Sequence, residues 1–218
     1  MKILLSWSTG KDSAWALHVL NRQYPGATAA LLTTINEVMD RVAMHGVRRE
    51  VVEAQARAAG LPLRTVFIPD RCGNEVYEQR MGDAVAAAVA DGFTHAAFGD
   101  LFLQDIRRYR ERQLAGSGLQ PLFPVWDIPT RDLAQQMIAG GLRARLVCVD
   151  TRVLDRSFVG RDFDTQLLEA LPAGVDPCGE NGEFHTCAYA GPMFAVPVRV
   201  ELGREEHREP FVWADLHV

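Results

Sequence analysis

The chain has no run of apolar residues long enough to cross a bilayer. It opens on a short apolar segment, Ile3-Leu4-Leu5, instead of the charged, apolar and small-residue regions of a secretion signal. Cysteine is sparse: Cys72, Cys148, Cys178 and Cys187 form no CxxC pair, which argues against a structural zinc and against a dithiol redox motif. The grouping Cys178, His185 and Cys187 has three possible metal ligands and lacks the fourth that tetrahedral zinc requires. Positive charge is also short, with 23 Lys and Arg against 28 Asp and Glu for a net charge of −5, and the arginines are dispersed among acids. That balance leaves no electrostatic footprint for nucleic acid. Internal repeats and low-complexity segments are absent. These absences set the expectation of a cytoplasmic protein with reduced thiols, without nucleic-acid or membrane partners; whether it forms a homodimer is left open.

The most informative segment follows the first apolar run. Ser6-Trp7-Ser8-Thr9-Gly10-Lys11-Asp12-Ser13 leads into a helical pattern carrying Ala14, Trp15, Leu17, Val19 and Leu20. A strand that feeds a small hydroxyl- and glycine-containing turn at a helix start is a phosphate cradle, because the first helical N–H groups lack internal partners and the helix dipole favours an anion there. Ser8, Thr9 and Ser13 add hydroxyls, Gly10 allows close backbone approach, and Lys11 supplies positive charge. The Walker A pattern does not apply, since position 5 is leucine and Lys11 is followed by Asp12. The competing interpretation is an ordinary helix start capped by Ser8 or Thr9.

Strand and helix patterns alternate through the first half. Ile3–Trp7, Ala29–Ile35, Leu63–Ile68 and Ala96–Phe98 read as strands, and Asp12–Asn21, Gly46–Ala59 and Asn74–Asp91 as the helices between them. Short apolar strands joined by helices predict right-handed crossovers and a parallel, Rossmann-like α/β sheet, with ligands outside the carboxyl ends of the strands. Gly116–Pro129, with two glycines and three prolines, reads as a linker. It divides the chain into a nucleotide domain, residues 1–125, and a smaller α+β domain, residues 126–218. In the latter, Thr130-Arg131-Asp132 reads as a cap for a helix to Ile138, Arg143–Val149 as a strand, Asp164–Leu171 as a helix, and Phe194–Glu201 and Glu209–Val218 as closing strands.

Ser8-Thr9-Gly10-Lys11-Asp12-Ser13 resembles the pyrophosphate loop of the ATP pyrophosphatases, with Thr9 where those proteins usually have glycine. Three further segments, Asp40–Val47, Phe98–Arg107 and Pro177–Thr186, resemble signatures of the diphthine–ammonia ligase family in the family's order, so the resemblance spans nearly the whole chain. It implies an adenine nucleotide alpha hydrolase-like fold and a two-step, ATP-dependent amide synthesis: adenylation of a carboxylate with release of pyrophosphate, then attack by ammonia with release of AMP. The family's best-known reaction converts diphthine on elongation factor 2 to diphthamide.

Given ATP, Asp12 beside Lys11 would repel phosphates unless a cation intervened, so Mg²⁺ held by Asp12 is the economical arrangement; a mere capping role is the alternative. Lys11 would neutralise the departing pyrophosphate. The resemblance makes His45-Gly46 and Gly99-Asp100 candidates for nucleotide contact, with Asp100 toward a ribose hydroxyl. In the polar run after them, Asp105, Arg107 and Arg110 are candidates for the substrate; the two arginines, three apart on one helix face, suit a phosphate or carboxylate. Much of that run would simply be a solvated helix face. Glu180 and Glu183, three apart in a glycine-rich turn, suit an ammonium site and a general base, with Asn181 and Thr186 of the same segment near the substrate. Cys187 is expected in the core, and free ammonia is the expected nitrogen source. Two other functions compete: a non-catalytic ATP or AMP sensor, and amidation of a small, corrinoid-related carboxylate. Sulfur transfer to RNA is disfavoured by the acidic charge and the unpaired cysteines.

Overall fold

A computed structural model describes residues 1–218. Strand β1 (Ile3–Ser6) runs into helix α1 (Lys11–Gln23), which buries Ala14, Trp15, Ala16, Leu17 and Leu20 against the sheet. Strand β2 (Thr28–Asn36) lies parallel to β1, with Leu5 opposite Leu31. A two-residue antiparallel strand, β3 (Arg41–Val42), pairs with the far end of β2. Helix α2 (Arg49–Ala59) ends at Gly60, whose φ of 67° is the left-handed turn that glycine accommodates. Strand β4 (Leu63–Ile68) pairs in parallel with β2 on the edge away from β1. Helix α3 (Asn74–Ala90), strand β5 (His95–Ala97), helix α4 (Gln104–Leu114) and strand β6 (Gln120–Leu122) complete this half.

β5 pairs in parallel with β1, and β6 with β5. The parallel strands therefore run β4-β2-β1-β5-β6 across the sheet. The direction of winding reverses between β1 and β5, so the loops that leave these two strands diverge and open a crevice at their carboxyl ends. This is the expected α/β class. The Gly116–Pro129 segment is not only a linker, because its centre is β6 and completes the sheet. Its prolines are compatible with a strand because β6 lies at the sheet edge, where Pro121 needs no ladder donor on its outer side.

The second half is a four-stranded antiparallel sheet, order β8-β7-β10-β9, built from β7 (Arg143–Asp150), β8 (Phe184–Ala190), β9 (Glu201–Arg208) and β10 (Phe211–His217). Helices α5 (Thr130–Ala139) and α6 (Thr165–Ala170) accompany it; Asp164 caps α6 by accepting the Leu167 N–H at 2.8 Å. Two expectations fail here. Phe194–Glu201 is not the closing strand; that strand is β9, largely exposed and polar, which hides it from hydrophobic patterning. Thr130 is not a cap: it is the first residue of α5, and its hydroxyl donates to Asp176 at 2.5 Å. The two sheets share one apolar core in which Trp7, Leu17 and Val51 join Leu146, Phe163 and Phe184. No helix is long and apolar enough to cross a membrane.

Candidate active site

The loop after β1 is held from behind by the second sheet. Thr9 has φ 74°, a left-handed conformation that a β-branched residue adopts only under constraint. The constraint is visible: its carbonyl accepts the Ala188 N–H at 2.9 Å and the Gln55 amide at 3.0 Å. Gln55, fully buried on α2, also donates to the Ala188 carbonyl at 2.6 Å and accepts the Trp7 indole N–H at 2.8 Å. Gly10, not Ser8 or Thr9, occupies the cap position of α1, and no side chain caps the helix. A Cβ there would lie 2.9 Å from Cε1 of His45, so glycine is required for His45 to pack on the loop. The Lys11 N–H, one of the orphan donors of the helix start, is taken by the Thr186 hydroxyl at 3.0 Å. Ser13 donates to the Gly10 carbonyl at 3.0 Å.

At the carboxyl ends of β1 and β5 lies a cavity of about 930 Å³, walled by the phosphate loop on one side and by the Cys178–Thr186 segment on the other. Lys11 is 2% exposed within it. Its ammonium donates to Asp12 at 2.9 Å and to the Cys178 carbonyl. Burial draws the lysine pKa down, yet Asp12 and the other acidic groups outweigh burial and hold it above the usual value, so the cation persists. Burial pushes the Asp12 carboxyl up against the pull of Lys11.

Glu180 reaches over from the second sheet's loop and accepts the Leu101 N–H at 2.8 Å, just past the end of β5. Its carboxyl is pushed up to about 7, first by burial and then by Asp12 and Asp100, despite the Leu101 hydrogen bond and Lys11. Such a group exchanges a proton readily at neutral pH. Asp100, also raised by burial, faces Arg110 at 3.4 Å. His45 and His185 stack with ring centres 4.7 Å apart; burial and each other's proximity bring His45 down to about 3, while burial and Lys11 bring His185 down to about 4. Both are neutral imidazoles on the cavity wall.

Of the residues singled out in the sequence, Ser8, Lys11, Asp12, Ser13, His45, Gly99, Asp100, Arg110, Glu180 and Thr186 meet on this one cavity. Thr9 and Gly10 shape the loop behind it. Gly99 does so for a reason other than expected: a Cβ would strike the Ser13 nitrogen at 2.8 Å, so glycine lets β5 approach α1. Five candidates lie elsewhere. Gly46 packs on Trp213, where a Cβ would sit 2.9 Å from Cδ1. Asp105 is exposed and pairs with Arg108. Arg107 lies over Phe123 and Trp126 and bonds Glu111. Glu183 accepts the Asp176 N–H and the Asn181 amide, both at 3.0 Å, and so braces the turn; Asn181 is spent on that brace. His185 and Cys178 also line the cavity and were not among the expected site residues, although both lie within Pro177–Thr186. Gln55 had no sequence signal at all, as a single amide on an otherwise apolar helix face.

Asp12 Oδ1 is buried with no hydrogen-bond partner, a lone carboxylate oxygen at the phosphate cradle, and Mg²⁺ is bound through one or two carboxylates with the remaining positions left to phosphate and water. The residues fit. No group of three or more His, Cys, Asp or Glu side chains forms a metal cluster.

The sheet order, the strand–loop–helix at its first strand and the cavity at its winding reversal define a doubly wound α/β protein. The chain belongs to the diphthamide synthase family: residues 1–121 match the model of the diphthamide synthase N-terminal domain and residues 129–217 that of the C-terminal domain. It is 28% identical to diphthine–ammonia ligase of Bos taurus over 92% of this chain and 83% of that protein. The human protein of the same name is 26% identical over the same shares. Among solved structures it is similar to the U34-tRNA thiolase NcsA of Methanococcus maripaludis, with TM-score 0.39 and 16% identity over 62% of this chain and 56% of that one.

Proposed function

We propose that the protein is an ATP-dependent ligase that activates a carboxylate as its acyl adenylate, releasing pyrophosphate, and then transfers ammonia to it, releasing AMP. The observation that carries this is the meeting of Lys11 and Glu180 on one cavity: a persistent cation on a phosphate loop, and a carboxyl near pH 7 supplied by the opposite sheet. The triphosphate lies along Ser8–Ser13, where helix-start N–H groups and hydroxyls receive it and Lys11 offsets the charge of the departing pyrophosphate. Asp12 would hold Mg²⁺, which supplies charge neutralisation of the phosphates. Arg110 and Asp100, paired at 3.4 Å on the cavity wall, would meet the carboxylate and a ribose hydroxyl.

Glu180 then takes a proton from ammonium so that neutral ammonia attacks the acyl carbon. Cys178 and Cys187 do not compete as nucleophiles, because burial keeps these two thiols protonated, with Cys187 pushed up to about 12 and Cys178 raised as well. Free ammonia is the nitrogen source in this reading. The second sheet fastens the loop from behind through the Ala188 N–H on the Thr9 carbonyl and the Thr186 hydroxyl on the Lys11 N–H. Diphthine and ammonia are the reactants named by the relatives. For this chain the acid is a carboxylate of that chemistry, with a small corrinoid-related acid as the other arm of the assay. Incubation with ATP, Mg²⁺, ammonium and each candidate acid should yield AMP and pyrophosphate together with the amide. Formation of ADP and orthophosphate would refute the ligase function.

A further inference from the structure

The Lys11 ammonium occupies an unusual setting for a lysine on a phosphate loop. It sits in a cage of protein groups. The Cys178 carbonyl and the Asp12 carboxylate, at 2.9 Å, accept from it. The faces of Phe163 and Phe184 flank it, with ring centres 5.5 and 5.4 Å from the nitrogen. Both rings are essentially fully buried, so the cage is dry on those sides. Oxygen acceptors on one side and aromatic faces on the other constitute a receptor for a small cation, since ring faces attract positive charge most strongly when water is excluded. Glu180 is two residues along the chain from Cys178 and lies close enough to the ammonium for each to perturb the other.

We propose that this cage is the ammonium site of the reaction, and that Lys11 fills it as a stand-in until nucleotide draws the lysine away. The inference rests on the ligase function above. A triphosphate on Ser8–Ser13 attracts the lysine more strongly than one carbonyl and one carboxylate do, and the four-carbon stem lets the head group swing. What it leaves behind is a cavity of the size and polarity of an R–NH₃⁺ head, beside a carboxylate able to accept a proton. Free ammonium enters there. Glu180 takes one proton; the nitrogen lone pair forms the C–N bond to the acyl carbon; the bond from that carbon to the adenylate oxygen breaks with its electron pair leaving on AMP; and the second proton passes to solvent. Filling the site before nucleotide binds would also impose order, since ammonium finds its seat only once ATP has claimed Lys11.

The test uses thallium(I), a monovalent cation close to ammonium in size with strong anomalous scattering, on crystals of the full chain. Lys11→Ala empties the cage, and thallium acetate should then give an anomalous peak between the Cys178 carbonyl and the two phenylalanine rings, diminished by added ammonium but not by tetramethylammonium. In the unaltered protein the same peak should appear with ATP and Mg²⁺ present and be absent without them; this second measurement stands if the variant does not fold. A folded Lys11→Ala protein whose cage takes no thallium, or an unaltered protein whose lysine stays in the cage with ATP bound, overturns the proposal. Because occupancy is read without turnover, an empty cage in an enzyme that still forms AMP and pyrophosphate from ammonium refutes the cage alone. ADP as the product refutes the ligase function itself, and with it the assignment of the cage to ammonium.

Discussion

Replacing Gln55 with leucine keeps the side chain's bulk and removes its hydrogen bonds. The buried amide ties α2 to the loop after β1 and to β8: it accepts the Trp7 indole N–H at 2.8 Å and donates to the carbonyls of Thr9 at 3.0 Å and Ala188 at 2.6 Å. Thr9 retains its bond from the Ala188 N–H, so its loss is partial. The indole N–H, 2% exposed as part of Trp7, has no other recipient and becomes a buried orphan. One orphaned donor at about 1–3 kcal/mol, together with two weakened carbonyl contacts, gives about 2–4 kcal/mol, or roughly 5–15 °C in melting temperature for a chain of this length. Nucleotide affinity should fall too, because Thr9 is held in its left-handed conformation partly by this amide. Gln55→Glu separates hydrogen bonding from shape: the carboxylate still accepts from Trp7 but opposes two carbonyl oxygens, so it should be at least as destabilising at neutral pH. Thermal melts and nucleotide titration of both variants check this. An unchanged melting temperature in Gln55→Leu with undiminished ATP binding would refute the argument that the amide fastens the phosphate loop to the second sheet.

Glu180→Gln should lose at least about a hundredfold in amide formation, as for a removed general base, and should abolish the rise in rate through pH 7 while ATP binding persists. The same carboxyl makes a stability prediction: its folded pKa of about 7 exceeds the 4.5 of the free group, so the folded state binds the extra proton, and stability falls as pH rises between those values. Glu180→Gln should therefore melt higher than the parent at pH 8 and equally at pH 4, as thermal scans at both will show. Asp215 works in the opposite direction. Burial pushes it up, but Arg48 and Arg41 bring it to about 2, against 3.8 for the free group. Its contribution is thus present above about pH 4 and lost as pH falls through 2; Asp215→Asn should cost about 2 kcal/mol at pH 7 by denaturant melts, and progressively less below pH 4. Thr9→Gly relieves left-handed strain and removes a buried hydroxyl without a partner, against the entropy of a glycine and a lost methyl, for a net gain of about 1 kcal/mol. A lower melting temperature for this variant would show that the threonine side chain, and not only its backbone, holds the loop.

The patterns legible from residues 3–20 alone were those with local causes. An apolar run, a small-residue turn and a helical spacing of Ala14, Leu17 and Leu20 require only short-range sterics and a buried face, so the strand, the cradle and the helix were evident before any fold. The parallel sheet followed from the repetition of that unit. Local pattern also brought Glu180 and Glu183 forward as a pair, and there it stopped. The two glutamates are three residues apart in one turn, yet one faces the cavity and the other braces the loop. That choice belongs to Leu101, whose N–H lies 79 residues earlier and is presented to Glu180 only when the two sheets pack. His45 and His185 are strangers along the chain and stacked neighbours in space. Gly46, offered as a nucleotide contact, instead answers to Trp213, and Gly99, which does line the cavity, also makes room for the start of α1, because what a missing Cβ makes room for depends on which chain passes closest. Strand β9 escaped notice because its pairing with β10 supplies backbone partners without a buried face to mark it. The sequence thus determined the types of element and the chemistry within each motif, through forces acting over a few residues. The tertiary structure alone decided which charges share a dry cavity, since burial and Coulomb interaction depend on distance in space, and these set the lysine's cage and a glutamate poised near neutral pH.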